Sequence, residues 1–299
     1  MKQFIFLFVY IFSISSISFA DDFWQRTGPR GPNGWDNLFV DASGKLYLYA
    51  DTIIVSSDNG NTWSGISTQG NYFAAFYANS PTDIFAADYS NLKHTTDGGA
   101  TWNTVEVGIS PINVHTITKK SNGNYFIGTN NLVFRSTDGA TNNWKRLTSG
   151  FSDGNVYALT YANDGSVIAG GWTNIYRSTN NGDTWTSVLS SPTVRKFAVS
   201  STGVILGGTA ELGAYTSSDN GVTWQFSSGL PDSNITAVGS DVNGNLFVST
   251  QKNGPYKSTN NGSSWISISA GLSYKFINDF GFSSGNLIAI SRAAFKSVK

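Results

Sequence analysis

One octapeptide recurs along this chain at a nearly constant interval, and it constrains the fold more than any other feature. A full copy is Ser56-Ser57-Asp58-Asn59-Gly60-Asn61-Thr62-Trp63, and a second is Ser217-Ser218-Asp219-Asn220-Gly221-Val222-Thr223-Trp224. A third, from Thr95 to Trp102, opens on Thr and keeps Asp97. Copies ending at Trp185 and Trp265 place Asn180 and Asn260 where the Asp stands. A sixth, from Ser136 to Trp144 around Asp138, carries one extra residue. A short Asp or Asn side chain accepts hydrogen bonds from backbone N–H groups just downstream and closes a turn. Gly at the fifth position takes a backbone angle that other residues resist. The Trp then leads into a strand and buries a large flat ring. Asp58, Asp97, Asp138, Asn180, Asp219 and Asn260 therefore read as structural turn formers.

The period supplies the architecture. Trp residues stand at 24, 63, 102, 144, 185, 224 and 265, so the steps are 39, 39, 42, 41, 39 and 41. A repeat of about 40 residues with about four strands in each marks a propeller blade. Midway through most repeats lies a hairpin signal, such as Asn122-Gly123, Asp164-Gly165 or Asn243-Gly244, between β-rich runs. In the fourth repeat the strands are expected at 156–161, 166–170, 174–177 and 185–189. The chain stops near Phe295, where a seventh octapeptide is due, while Trp24 stands in register with no repeat before it. Residues 23–27 are therefore expected to form the outer strand of the last blade. The fold class is all-β: a seven-bladed β-propeller of four-stranded antiparallel blades, its ring closed by an N-terminal strand. Closure removes the mobile seam a stacked array otherwise keeps.

Composition agrees with a turn-rich β protein, with 32 Gly and only 7 Pro. Lys2, an apolar run from Phe4 to Phe12 and Ser18-Phe19-Ala20 read as a signal peptide over residues 1–20, cleaved after Ala20. Residues 21–299 are then one domain, secreted or periplasmic, with no membrane span after cleavage. The formal charge is zero, and loss of Lys2 changes 19 − 19 to 18 − 19, or −1. With no basic stripe, nucleic acid is not an expected partner. There is no Cys, hence no disulfide and no thiolate metal site.

The octapeptide resembles the Asp-box, or BNR, repeat, and the resemblance covers nearly the whole mature chain. That family includes sialidases, xyloglucan-cleaving glycoside hydrolases, sortilin-type receptor ectodomains and photosystem assembly factors. It implies Asp boxes on the turn between third and fourth strands, facing away from the usual site, so the motif speaks to fold rather than activity. Sialidases combine an arginine triad, a Tyr nucleophile and a Glu with an early Arg-Ile-Pro segment. This chain has no Arg-Ile-Pro, only two Glu (Glu106 and Glu211), and Arg135 and Arg177 at the octapeptide end of the blade. Sialidase chemistry is not expected.

Xyloglucanase-like members use Asp residues on loops of the site face. Asp51 and Asp88 occupy matching places at the ends of the second strands of the first two blades. Sheets pack about 10 Å apart, and an inverting hydrolase wants carboxyls about 6.5–9.5 Å apart. Asp51 and Asp88 are thus the catalytic candidates, although strand-end Asp residues also form turns, and no second propeller is present to complete a cleft. A glycoside hydrolase or polysaccharide lyase is the alternative function.

The leading expectation is binding. Loops joining second to third strands, and blade to blade, bring Trp35, Trp172, Tyr72, Glu211, Lys252, Arg292 and Tyr274 to the face opposite the octapeptides, with His115, Phe151, Asp153, Arg195 and Phe276 among their neighbours. Trp35 and Trp172 alone break the Trp register. Flat aromatics beside amides and charges suit a glycan or a protein partner; a plug of aromatics over the channel is the competing structural role. Two isolated His residues, His94 and His115, do not make a zinc site. Single carboxylates in Asn-substituted turns do not make a calcium site. No metal and no cofactor is expected, and the protein is expected to be a monomer.

Overall fold

The computed structural model describes residues 24–30, 37–272, 274–291 and 293–297. These residues form seven four-stranded antiparallel sheets arranged as the blades of a ring. Blades 1 to 6 each take four strands in chain order, from the central channel outwards. Blade 4 is representative: Val156–Tyr161, Val167–Gly171, Asn174–Ser178 and Thr186–Ser190. Those limits lie within a residue or so of the expected ones.

Exposure grades across each blade. The second strands Tyr125–Thr129, Val167–Gly171, Ile205–Thr209 and Leu246–Thr250 are buried at every position. They are covered on both faces by neighbouring blades, which is why their sequences run apolar or small instead of alternating. Outer strands such as Ser64–Ile66 and Gln225–Ser227 are largely exposed. The apolar core is therefore a set of layers between blades, with Tyr47, Phe85, Phe126 and Tyr176 among the fully buried side chains. Blade contact needs small residues in places. A Cβ on Gly170 would lie 2.8 Å from the Val194 carbonyl oxygen of the next inner strand.

Blade 7 is assembled from both ends of the chain. Its strands run outwards as Asp279–Ser283, Asn286–Ile290, Ala293–Ser297 and Trp24–Arg30. Trp24 pairs with Ser297 and Arg26 with Phe295. The Trp24 ring is 3% exposed, lies with Phe247, Ile277 and Phe295 in the last core layer, and stacks on Phe280 at 6.5 Å. Its Nε1–H donates to the Ile268 carbonyl at 2.6 Å. The segment that the Trp register assigned to the last sheet is where that register put it.

The octapeptides close the turn between third and fourth strands. In blade 1 the Ser56 hydroxyl accepts from Gly60 N–H at 2.8 Å and donates to Asp58 Oδ1 at 2.8 Å. Asp58 accepts from Thr62 N–H at 2.8 Å and from the Thr62 hydroxyl at 2.6 Å. Blade 4 repeats the pattern with an amide: Asn180 Oδ1 accepts from Thr184 N–H, and Asn180 Nδ2 donates to the Thr184 hydroxyl. Asp and Asn interchange because the threonine hydroxyl either donates or accepts. Hydrogen bonds from Thr62 outweigh slight desolvation and hold the Asp58 carboxyl down at about 2. Asp97 is likewise held at about 2, led by Thr101.

Two features of this turn differ from expectation. The fourth position also adopts the left-handed conformation: Asn59 has φ 61° and Gly60 φ 82°. Asn or Gly fills that place in all six copies, which is the chemistry the conformation favours. Full burial of the Trp rings holds only for Trp24 and Trp185; Trp63, Trp102, Trp144, Trp224 and Trp265 are half-buried. They stand at the start of outer strands, where one side of the ring meets solvent.

Candidate functional site at the channel mouth

Alternating strand direction sends the octapeptides and first hairpins to one face, and the second-to-third and blade-to-blade loops to the other. Hydrogen bonds confirm both groupings. Gly98 N–H of an octapeptide reaches the Thr82 carbonyl of the first turn in its own blade at 3.1 Å. On the opposite face the Thr193 hydroxyl, between blades 4 and 5, donates to the Trp172 carbonyl at 2.6 Å.

The inner strands of four successive blades enter the channel through an irregularity at the same place. In blade 3 Val114 pairs with Thr129 and Thr116 with Gly128, leaving His115 extra. The same shift leaves Tyr157 extra in blade 4, Arg195 in blade 5 and Thr236 in blade 6. Such a bulge sets two residues against one and redirects a side chain. The inner strands of blades 1, 2 and 7 pair without it. The mouth of the channel is thus asymmetric, and its distinctive side chains stand on blades 3 to 6.

Those side chains meet. The Tyr157 ring lies 4.8 Å from the His115 ring and 6.1 Å from the Trp172 ring, which is tilted 43° to it. The Arg195 guanidinium sits 6.0 Å above Tyr157. His115, Tyr157 and Arg195 line a channel cavity of about 370 Å³. Arg195 also lines an adjoining cavity of about 420 Å³ with Asn234, Gln251 and Phe276. Burial pushes the His115 imidazole below its ordinary value, favouring the neutral ring. Burial raises the Tyr157 hydroxyl, with Arg195 pulling the other way.

Trp172 is 54% exposed, yet its loop is fixed. Asp153 accepts from Thr173 N–H at 3.0 Å, from the Thr173 hydroxyl at 2.7 Å and from Asn174 Nδ2 at 3.2 Å. With Thr193 on the Trp172 carbonyl, both polar groups of the peptide unit that follows the indole are held.

The other sequence candidates fall in several places. Glu211 and Lys252 are exposed on the second-to-third loops of blades 5 and 6, the Lys252 N–H donating to Asp232 at 2.9 Å. Tyr274 is exposed between blades 6 and 7. Tyr72 belongs to a separate aromatic pair, stacked on Tyr89 at 5.5 Å and 5°. Trp35 and Arg292 lie outside the described residues, as do residues 1–20. Asp51 and Asp88 lie in turns after second strands that end at Tyr49 and Ala87. Asp88 Oδ1 accepts from the N–H groups of Ser90 and Asn91 at 2.8 and 2.7 Å, the contacts of a turn former. Sequence reasoning passed over Tyr157. Its signal was its column in the repeats: His115, Tyr157, Arg195 and Thr236 each follow a Val or Ile and share no residue type.

Among the described residues no helix is long and apolar enough to cross a membrane. A family model described as the DUF6242 beta propeller domain matches residues 14–114, which is 114 − 14 + 1 = 101 of 299 positions. No curated protein matches the chain. Among solved structures, one described as YCF48 bound to D1 peptide superposes with TM-score 0.70 and 15% identity, covering 94% of this chain and 97% of that one. The extracellular domain of a hybrid two component system from B. thetaiotaomicron gives TM-score 0.71 at 17% identity, over 91% of this chain and 41% of that one. An ancestral GH74 enzyme gives 0.71 at 17% identity, over 92% and 45%. At these identities the likeness is one of fold.

Proposed function

We propose that this chain is an exported binding module, taking a glycan or protein partner on the face that carries Trp172. The observation behind this reading is an indole, half exposed, on a loop whose backbone is already fixed by Asp153 and Thr193. A large aromatic held in place loses little freedom when a ligand covers it, so its contact area converts efficiently into affinity. Trp172 lies outside the repeat register, so the blade packing that explains the other indoles does not explain this one; its contact with Tyr157 is the packing role that competes with binding. Export rests on the charged, apolar and small-residue order of residues 1–20.

Chain cleavage, hydrolytic by a glycoside hydrolase or eliminative by a polysaccharide lyase, is the alternative, with Asp51 and Asp88 as its carboxylates. The turn bonds of Asp88 speak for a structural role there. A glycan array and a protein pull-down with the exported chain, followed by product analysis on each hit, distinguish the two. Binding without new reducing ends or unsaturated products supports the module. Trp172→Ala is expected to weaken the captured ligand while leaving the melting temperature unchanged. A large loss of stability in that variant would make Trp172 a packing residue and overturn the reading.

A further inference from the structure

Arg195 carries a charge that no described carboxylate answers. It is exposed, lines both cavities at the mouth, and has no carboxylate within ion-pairing distance among the described residues. Several nearby charges are already engaged, and the exposed Glu211 carboxylate makes no ion pair with Arg195. Lys196, the next residue, pairs with Asp279 at 2.7 Å. Asp153 holds Thr173 and Asn174. Asp232 accepts from the N–H groups of Asn234 and Lys252. The bulge in blade 5 directs Arg195 to the one corner where Tyr157 and Trp172 present tilted rings.

Building on the reading that this face binds a ligand, we propose that the corner of Trp172, Tyr157 and Arg195 is a subsite for an acidic polysaccharide. A uronic-acid ring lies against the Trp172 indole, and its carboxylate meets the Arg195 guanidinium. A guanidinium matches a carboxylate with two parallel N–H···O bonds, which fixes orientation as well as charge. The exported chain carries a formal charge of 18 − 19, or −1, so attraction for an acidic chain here is local to this corner.

The same geometry argues against a peptide C-terminus. Such carboxylates are captured by nests of free backbone N–H groups. Around this mouth those groups are taken: Thr173 by Asp153, Ala210 by the Thr193 carbonyl, Gln251 by the Asn234 carbonyl, and Lys252 by Asp232. A side-chain cation is what remains.

Titration calorimetry of the exported full chain with polygalacturonate, polyglucuronate and alginate tests this, each polymer paired with its methyl ester. At least one free-acid polymer is expected to bind, and to lose about tenfold or more in affinity on esterification, the scale of one charge-assisted pair. Arg195→Gln should reproduce that loss at an unchanged melting temperature, and Arg195→Lys should restore part of it. No binding of any free-acid polymer, equal binding of ester and acid, or an Arg195→Gln variant that binds as tightly as the native chain would overturn the assignment. If a neutral glycan or a protein binds at Trp172 regardless of Arg195, the acidic-sugar subsite fails while the binding face stands. If no captured ligand responds to Trp172→Ala, both fail.

Discussion

Lys196 Nζ lies 2.7 Å from Asp279 Oδ1, joining blade 5 to blade 7 past the intervening blade 6. The same carboxylate accepts from Leu38 N–H of blade 1 at 3.2 Å, and Lys196 also donates to the Asn278 carbonyl at 2.9 Å. One half-buried pair therefore spans the channel and ties the first and last blades together.

Removing that anchor should loosen the ring at its seam. Asp279→Ala leaves the Lys196 ammonium with only the Asn278 carbonyl and takes the carboxylate from the Leu38 amide, a loss of about 1–3 kcal/mol for hydrogen bonds to a charged group. Urea unfolding followed by Trp fluorescence measures it. A midpoint equal to that of the native chain would mean the pair contributes nothing to closure.

The N-terminal strand offers a larger effect. Trp24→Ala removes a buried ring and its bond to Ile268, with an expected cost of about 3–5 kcal/mol. Deleting residues 21–30 should lower the melting temperature further, because the outer edge of blade 7 then lacks a partner. Calorimetry on both variants checks this; an unchanged melting point would contradict closure by strand exchange.

Acid should probe the turns selectively. The folded carboxyls of Asp58 and Asp97 sit at about 2, below an ordinary value of 3.8. Their contribution is therefore complete above the ordinary value and is lost as pH falls through 2, when the folded protein must also take up the proton. The double variant Asp58→Asn, Asp97→Asn should show a flatter decline of melting temperature between pH 4 and pH 2. Asn180 and Asn260 already hold the same turn without titrating. Equal slopes in the two proteins would show that these carboxylates do not control acid stability.

Close blade contact links the fold to the mouth. In Gly170→Val the new Cβ would lie 2.8 Å from the Val194 carbonyl, so the strand bearing Arg195 has to move. Overpacking of this kind costs about 1–3 kcal/mol. Affinity at the mouth should fall along with stability, whereas Arg195→Gln lowers affinity alone. Thermal melts and binding isotherms on the two variants separate these effects.

Blade number, strand order and the borrowed last strand were legible in the residues. Each octapeptide makes its principal hydrogen bonds within itself, Ser56 to Gly60 and Asp58 to Thr62, so eight letters carry the whole turn. Their spacing then counts the sheets, and Trp24 without a repeat before it reveals how the ring ends meet. Trp172 was visible too, because it breaks the register. Only the folded ring decided what surrounds it. Tyr157 faces Trp172 and Arg195 because pairing between two strands slips by one residue, a property of a register and not of a residue type. Among the described residues Arg195 has no carboxylate partner, because Asp153, Asp232 and Asp279, from three other segments, answer different partners. Turn chemistry is local in the chain and can be read along it; the electrostatics of a channel mouth sum over strands some forty residues apart, and exist only once those strands are brought side by side.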